Sequence, residues 1–94
     1  MVIKFWGTRG SVPVPGENTM KYGGNTPCVE VISNSDEDII IDAGTGIRKL
    51  GNKIIDANNF NNINILLSHT HWDHIQGLPF FAPLYNENFK VNIY

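Results

Sequence analysis

The chain has 94 residues, of which 41% are hydrophobic and 17% are charged. This size accommodates one small domain, and the composition excludes a disordered or a fibrous protein. The formal net charge of -2 excludes a general attraction to nucleic acid or to an anionic membrane, and the single cysteine, Cys28, excludes an intrachain disulfide.

Strands and breaker-rich loops are predicted for the first half of the chain. Residues 1–6 (MVIKFW) and 28–33 (CVEVIS) alternate in polarity and are rich in β-branched and aromatic residues, as strands are. Glycines and prolines predict a loop between them. The polar residues 34–38 (NSDED) predict a hairpin turn into residues 39–42 (IIID), an apolar run typical of a buried strand.

A helix and two further strands are predicted for the second half. Residues 47–57 place isoleucine and leucine on one helical face, although Gly51 weakens such a helix by about 1 kcal/mol relative to alanine. Residues 63–68 (INILLS) predict another buried strand. Residues 74–86 predict a short helix interrupted by prolines, and residues 89–94 (FKVNIY) predict a last strand. This order of elements predicts an α/β fold built as a layered sheet.

All three histidines of the chain lie in the segment SHTHWDH, which begins where the strand 63–68 ends. Imidazole and carboxylate are ligands that zinc prefers. In an extended loop His69 and His71 can bind one ion, while Asp73 and His74 can turn toward a neighbouring ion. A chance H-x-H-x-D-H at this composition has an expected frequency on the order of 10⁻⁴. The plainer alternative is a set of surface histidines with Asp73 as a helix N-cap.

Three further residues have two interpretations each. Asp42 follows a buried strand, so it lies where open sheets bind ligands, or it is a turn residue before Gly44. Arg9 lies in the glycine-rich loop and could hold a phosphate, although a solvated arginine is the commoner case. Trp72 is expected to pack against the sheet and stiffen the histidine segment, with substrate stacking as the second interpretation.

The segment SHTHWDH, preceded by an apolar strand and by DAGTG, resembles the metallo-β-lactamase superfamily of metal-dependent hydrolases. The segments FWGTRGSVPVPG, YGGNTPCVEV and HIQGLPFF resemble its phosphodiesterase-type branch, which includes cyclic-phosphate phosphodiesterases and the tRNA 3′-processing endonuclease. The likeness extends from Val2 to Tyr94.

This resemblance implies a set of roles. His69 and His71 would bind a first metal, Asp73 and His74 a second, and Asp42 would support the metal loop without being a ligand. The ions would be two zinc ions, with manganese or iron as alternatives. They would activate a hydroxide that attacks a phosphodiester, in a small molecule or a nucleic acid, and Asp73 would help to orient that hydroxide.

The chain departs from the family beyond the histidine segment. The family has a later histidine, a later bridging aspartate and a last histidine, but no histidine follows His74 and no aspartate follows Asp73. We therefore expect residues 1–94 to form the N-terminal part of the family's αββα sandwich, mostly strands with one or two helices. Such a part should bind metal weakly, turn over little substrate, and associate with itself or with a missing C-terminal half.

Other functions remain open from the sequence. A hydrolase of a lactam or a thioester is one alternative within the superfamily. The oxygen-reducing di-iron branch is another, although that branch tends to carry glutamate where this chain has His71. A non-catalytic metal-binding or assembly module is the third. We expect a cytoplasmic protein, because a single cysteine suits a reducing compartment. We expect no membrane partner, because no apolar run approaches the length of a membrane span.

Overall fold

The structure is a computed structural model that describes residues 1–10, 12–14, 16, 23–33, 37–57 and 61–94. Its main element is a five-stranded sheet with helices on one side. In chain order the elements are β1 (Val2–Gly7), β2 (Cys28–Ile32), β3 (Glu37–Ile41), α1 (Ile47–Ala57), β4 (Asn62–Leu66), α2 (Trp72–Ile75), two 3₁₀ helices (Leu78–Phe80 and Ala82–Tyr85) and β5 (Lys90–Ile93). The α/β fold class predicted from the sequence, mostly strands with one or two α-helices, is confirmed.

The strands lie in the sheet in their sequence order. β1 pairs with β2 and β2 with β3 in antiparallel fashion, whereas β3, β4 and β5 are parallel neighbours. A parallel pair needs a crossover connection, and α1 supplies it between β3 and β4. The carboxyl ends of β3 and β4 therefore meet at one edge of the sheet, where Ile41 pairs with Leu66.

One face of the sheet forms the core beneath α1. The side chains of Ile40, Ile63 and Ile65 are fully buried there. The buried face of α1 carries Ile47 and Leu50, which belong to the same apolar cluster. Burying each such aliphatic side chain contributes about 1.5–3 kcal/mol to the free energy of unfolding. This packing holds β3 and β4, the two strands that lead to the histidine segment and to Asp42.

Gly51 lies inside α1 because the helix is in close contact with an aromatic ring. A Cβ atom at Gly51 would lie 2.7 Å from Cδ1 of Phe81, and the Phe81 side chain is fully buried. Phe81 comes from the turn between the two 3₁₀ helices. Glycine lowers the helix propensity at this position, but it allows Phe81 to pack closely against α1.

The other face of the sheet, which we call the open face, is partly exposed. Its apolar residues include Phe5 and Ile3 on β1, which are 70% and 53% exposed. Ile41 on β3 and Leu66 on β4 are exposed at 36% and 41%. Exposed apolar side chains this close together are typical of a surface that packs against another element.

The turn predicted at residues 34–38 extends two residues too far toward the C-terminus. β3 begins at Glu37, and Asp38 is a fully buried strand residue that pairs with Ile32. Residues 34–36 of that prediction lie outside the described residues. Strand pairing on both sides of β3 outweighs the turn preference of an aspartate.

β4 begins at Asn62, one residue earlier than the predicted strand. Asn92 of β5 donates from Nδ2 to Asn62 Oδ1 at 3.0 Å and to Asn64 Oδ1 at 3.2 Å. The amides of Asn62 and Asn64 donate in turn to Glu37 of β3. These side chains form a polar ladder beside the apolar part of the open face. In the described part of the chain, no helix is long and apolar enough to cross a membrane.

Candidate metal centre

The candidate site lies at the carboxyl ends of β3 and β4. Asp42 follows β3 directly, and Ser68 and His69 follow β4 after one intervening residue. The backbone N–H of Asp42 donates to the carbonyl of Leu66 at 2.9 Å, so the two strand ends stay paired. Because parallel neighbours end at the same edge, residues 26 positions apart in the chain become neighbours in space.

Backbone hydrogen bonds of Ala43, the residue after Asp42, connect α2 to the same edge of the sheet. The N–H of Ala43 donates to the carbonyl of His74 at 2.7 Å, and the N–H of Gly77 donates to the carbonyl of Ala43 at 2.9 Å. A Cβ atom at Gly44 would lie 2.6 Å from the carbonyl oxygen of Asp73. The lack of a side chain at Gly44 is thus what lets the histidine segment approach the β3 end.

Asp42 has an unusual backbone conformation. Its φ is 66°, and it is the one non-glycine residue with positive φ among the described residues. Aspartate tolerates this left-handed region better than most residues, but the conformation still costs on the order of 1 kcal/mol. Asp42 is also buried, with 7% of its surface exposed. The backbone turn directs its carboxylate toward the residues that follow β4.

The carboxylate of Asp42 accepts hydrogen bonds from Ser68. The backbone N–H of Ser68 donates to Oδ1 at 2.8 Å, and the Ser68 hydroxyl lies 2.9 Å from Oδ1 and 2.8 Å from Oδ2. Burial acts to raise the pKa of Asp42. The hydrogen bonds from Ser68 and the neighbouring His74 outweigh burial and hold the pKa below its ordinary value of 3.8. Asp42 is therefore a carboxylate at neutral pH.

The three imidazole rings cluster together. The ring centroids of His69 and His71 are 4.5 Å apart, and those of His69 and His74 are 3.9 Å apart. Nε2 of His74 lies 3.4 Å from Oδ2 of Asp73. All four predicted metal ligands thus lie in one small region at the strand ends.

His74 also contacts Asp42. Its Nδ1 lies 2.9 Å from Oδ2 of Asp42, which is an ion-pair distance. Among the described residues this buried nitrogen has no hydrogen-bond partner.

The chemistry of this group of donors fits a zinc ion. Three imidazoles and a carboxylate are donors that zinc takes. The side chains of the described residues, however, include no set of three or more His, Cys, Asp or Glu groups arranged to hold a metal ion. The residues therefore fit zinc in donor type and in location, while their present conformation forms no three-donor cage.

A second network behind the site involves Thr26 and Thr45. The N–H of Thr26 donates to Oγ1 of Thr45 at 2.9 Å, and the N–H of Thr45 donates to Oγ1 of Thr26 at 2.7 Å. Gln76, just after α2, donates from Nε2 to Oγ1 of Thr26 at 3.2 Å. Thr26 is fully buried. The network connects the segment before β2 to the segment after β3 and to α2.

Sequence reasoning missed Ser68, Thr45 and Gln76. Ser68 had one usable signal, its position directly before the first histidine. The other two had none, because their partners lie 19 and 50 residues away.

Two other predictions concern Arg9 and Trp72. Arg9 is exposed, and its Nε donates to the carbonyl of Val12 at 2.9 Å. Trp72 does not pack against the sheet as expected, because 69% of its surface is exposed. Trp72 instead lines an open groove of about 550 Å³ together with Thr70 and Tyr85. A residue on a four-residue helix at the surface has little core to pack into.

The family model of the metallo-beta-lactamase superfamily matches residues 22–88. The matched range contains Asp42 and the whole histidine segment. The chain therefore belongs to the metallo-beta-lactamase superfamily, and this membership supports a metal-dependent hydrolase in general. No curated protein matches the chain closely enough to count as a relative.

Proposed function

We propose that this protein is a zinc-dependent hydrolase of phosphodiesters. The observation that supports the proposal is the clustering of His69, His71 and His74, with ring centroids 3.9 and 4.5 Å apart, at the carboxyl ends of parallel strands. The phosphodiester substrate is favoured by the amino-terminal segment FWGTRGSVPVPG, which resembles the phosphodiesterase-type branch.

The roles of the residues in this proposal are those that the family resemblance implies. His69 and His71 would hold one ion, and Asp73 and His74 would hold the other. Zinc in such a site lowers the pKa of bound water toward 7 and offsets negative charge on the phosphoryl oxygens. Asp73 would accept a hydrogen bond from the attacking water. Asp42 does not contact the substrate, since it is buried and engaged with Ser68.

Substrate binding would use the surface beside the histidines. The groove lined by Thr70, Trp72 and Tyr85 lies next to the ligands in sequence, because Thr70 and Trp72 alternate with them. An aromatic wall suits the organic part of a phosphodiester, such as a nucleobase. Arg9 would contribute a phosphate contact from the segment after β1.

The open face of the sheet implies a partner. We propose that it packs against a further part of the protein chain or against a second copy, because Phe5 and Ile3 are 70% and 53% exposed. This partner would also supply the later ligands that the family has and that residues 75–94 lack. We further propose a cytoplasmic location, on the single unpaired cysteine.

The second candidate is a metal-binding module without catalysis. It is favoured by the lack, among the described residues, of three donors arranged around one point. Fewer than three protein ligands for an ion make a weak and poorly activating site.

Zinc calorimetry and a substrate panel separate these candidates. We expect zinc to bind the metal-free chain and the His71→Ala variant to lose that binding, while Lys49→Ala at an exposed position on α1 keeps it. A chromogenic phosphodiester should be cleaved in preference to a lactam or a thioester, and slowly for the chain by itself. Zinc binding without turnover of any substrate would favour the module. Absence of zinc binding would overturn both.

A further inference from the structure

The hydroxyl group of Ser68 lies between Asp42 and the first histidine of the cluster. Its Oγ is 2.8 Å from Oδ2 of Asp42 and 3.0 Å from Nδ1 of His69. Asp42, Ser68 and His69 thus form a continuous chain of three polar groups. Of these three residues, only His69 is a proposed metal ligand.

The direction of each hydrogen bond in this chain follows from the chemistry of the groups. The carboxylate of Asp42 has lone pairs and no hydrogen, so it accepts. Ser68 has one hydroxyl hydrogen, and the Asp42 contact uses it. The Ser68 oxygen is then left with lone pairs only, so Nδ1 of His69 must donate to it. The ring of His69 is therefore the Nδ1–H tautomer, and its Nε2 lone pair is free.

The same carboxylate acts on His74 without an intermediary. A carboxylate oxygen 2.9 Å from Nδ1 of His74 favours a hydrogen on that nitrogen. Nε2 of His74 also faces a carboxylate, since it lies 3.4 Å from Oδ2 of Asp73, so these contacts do not select one tautomer of His74. The tautomer argument therefore applies to His69.

We propose that Ser68 is a positioning residue that holds His69 in the Nδ1–H tautomer, so that its Nε2 is presented to a metal ion. The proposal deepens the proposed function and depends on it for its purpose, but the tautomer itself is a property of the metal-free chain. A histidine ligand with its second nitrogen so engaged is oriented before the ion arrives, which raises affinity by about 10–100-fold in comparable sites.

A merely structural role for Ser68 predicts different behaviour. The backbone N–H of Ser68 also binds Asp42, at 2.8 Å, and needs no side chain. Ser68→Ala therefore keeps the connection between the two strand ends and removes only the hydroxyl. Ser68→Thr keeps the hydroxyl and should restore the wild-type behaviour. Ser33→Ala, the same change outside the site, is the matched control.

The first readout is the ¹⁵N spectrum of the histidines in the metal-free chain, recorded at alkaline pH. We expect the Nδ1–H signature for His69 in the wild type, in Ser68→Thr and in Ser33→Ala. In Ser68→Ala we expect a shift toward the Nε2–H tautomer that free imidazole favours. An Nε2–H ring in the wild type, or an unchanged tautomer in Ser68→Ala, would overturn the proposal.

The second readout is zinc affinity by calorimetry. Ser68→Ala should bind zinc about 10–100-fold more weakly than the wild type, with Ser68→Thr close to the wild type. Equal affinity of Ser68→Ala and wild type would exclude a positioning role even if the tautomer shifts. If the wild type binds no zinc, the proposed function fails, and the ¹⁵N spectrum still decides which tautomer Ser68 imposes.

Discussion

Replacement of Asp38 by asparagine should remove a pH-dependent loss of stability from the core. Asp38 is fully buried, and neither of its carboxyl oxygens accepts a hydrogen bond from a described residue. Glu30, on the neighbouring strand β2, is also buried and accepts a hydrogen bond from Nε1 of Trp6 at 3.1 Å. Burial, and after it the adjacent Glu30, raise the pKa of Asp38 to about 8, although Lys4 opposes this. A hydrogen bond between the two carboxyl groups forms only while one is protonated.

The sign of the pH dependence follows from this raised pKa. The unfolded chain loses the Asp38 proton near the ordinary pKa of 3.8, whereas the folded chain keeps it up to about pH 8. The contribution of protonated Asp38 to the free energy of unfolding is complete below pH 3.8 and is lost as the pH rises through about 8. Since each pKa unit corresponds to about 1.4 kcal/mol, the total loss is on the order of 5 kcal/mol if Asp38 titrates alone, and smaller if Glu30 shares the proton.

Urea unfolding of the metal-free chain across this pH range measures the effect. Asp38→Asn should be as stable as the wild type at low pH and more stable by a few kcal/mol above about pH 8, because the amide carries no charge and can donate to Glu30. Asp56→Asn, the same change at an exposed position on α1, is the control and should follow the wild type. Parallel curves for wild type and Asp38→Asn would refute a protonated Asp38.

Three further predictions test the packing around the site. Gly51→Ala should lower the thermal midpoint by an amount equivalent to about 1–3 kcal/mol, because the new Cβ would lie 2.7 Å from the Phe81 ring. We expect this crowding to outweigh the better helix propensity of alanine, and a rise in the midpoint would contradict it. Thr26→Val should lower the free energy of unfolding in denaturant by about 1–3 kcal/mol, since the N–H of Thr45 loses its acceptor. An unchanged midpoint would show that water takes the place of the Thr26 hydroxyl. Phe5→Gln should weaken self-association, measured by sedimentation, at little cost in stability, because the side chain is 70% exposed. If the wild type self-associates and the variant sediments in the same way, the open face is excluded as the interface.

Much of the fold could be predicted from local patterns. The alternation in CVEVIS and the apolar runs in IIID and INILLS each predict a strand, and the structure has β2, β3 and β4 there. These predictions succeed because the period of two along a strand and the burial of a parallel strand both show directly in consecutive residues. The boundaries were less accurate, as the beginning of β3 at Glu37 shows.

The candidate site was predictable only where its residues are adjacent in the chain. His69, His71, Asp73 and His74 form one short motif, so their proximity needed no knowledge of the fold. Asp42 could be placed at a strand end, but not 2.8 Å from the hydroxyl of Ser68. Such a contact depends on which strands are neighbours, and many pairings are compatible with the same local pattern.

The sequence by itself determined the elements, the superfamily and the positions of the candidate ligands, because each of these is written in residues close together along the chain. The tertiary structure alone decided which groups are buried and which are paired. It put Asp38 into the core rather than a turn, left Trp72 exposed, and set Ser68 between Asp42 and His69. The physical reason is that burial and hydrogen bonding are properties of neighbours in space, and the neighbours Asp42 and Ser68 follow strands that are separated by a helix.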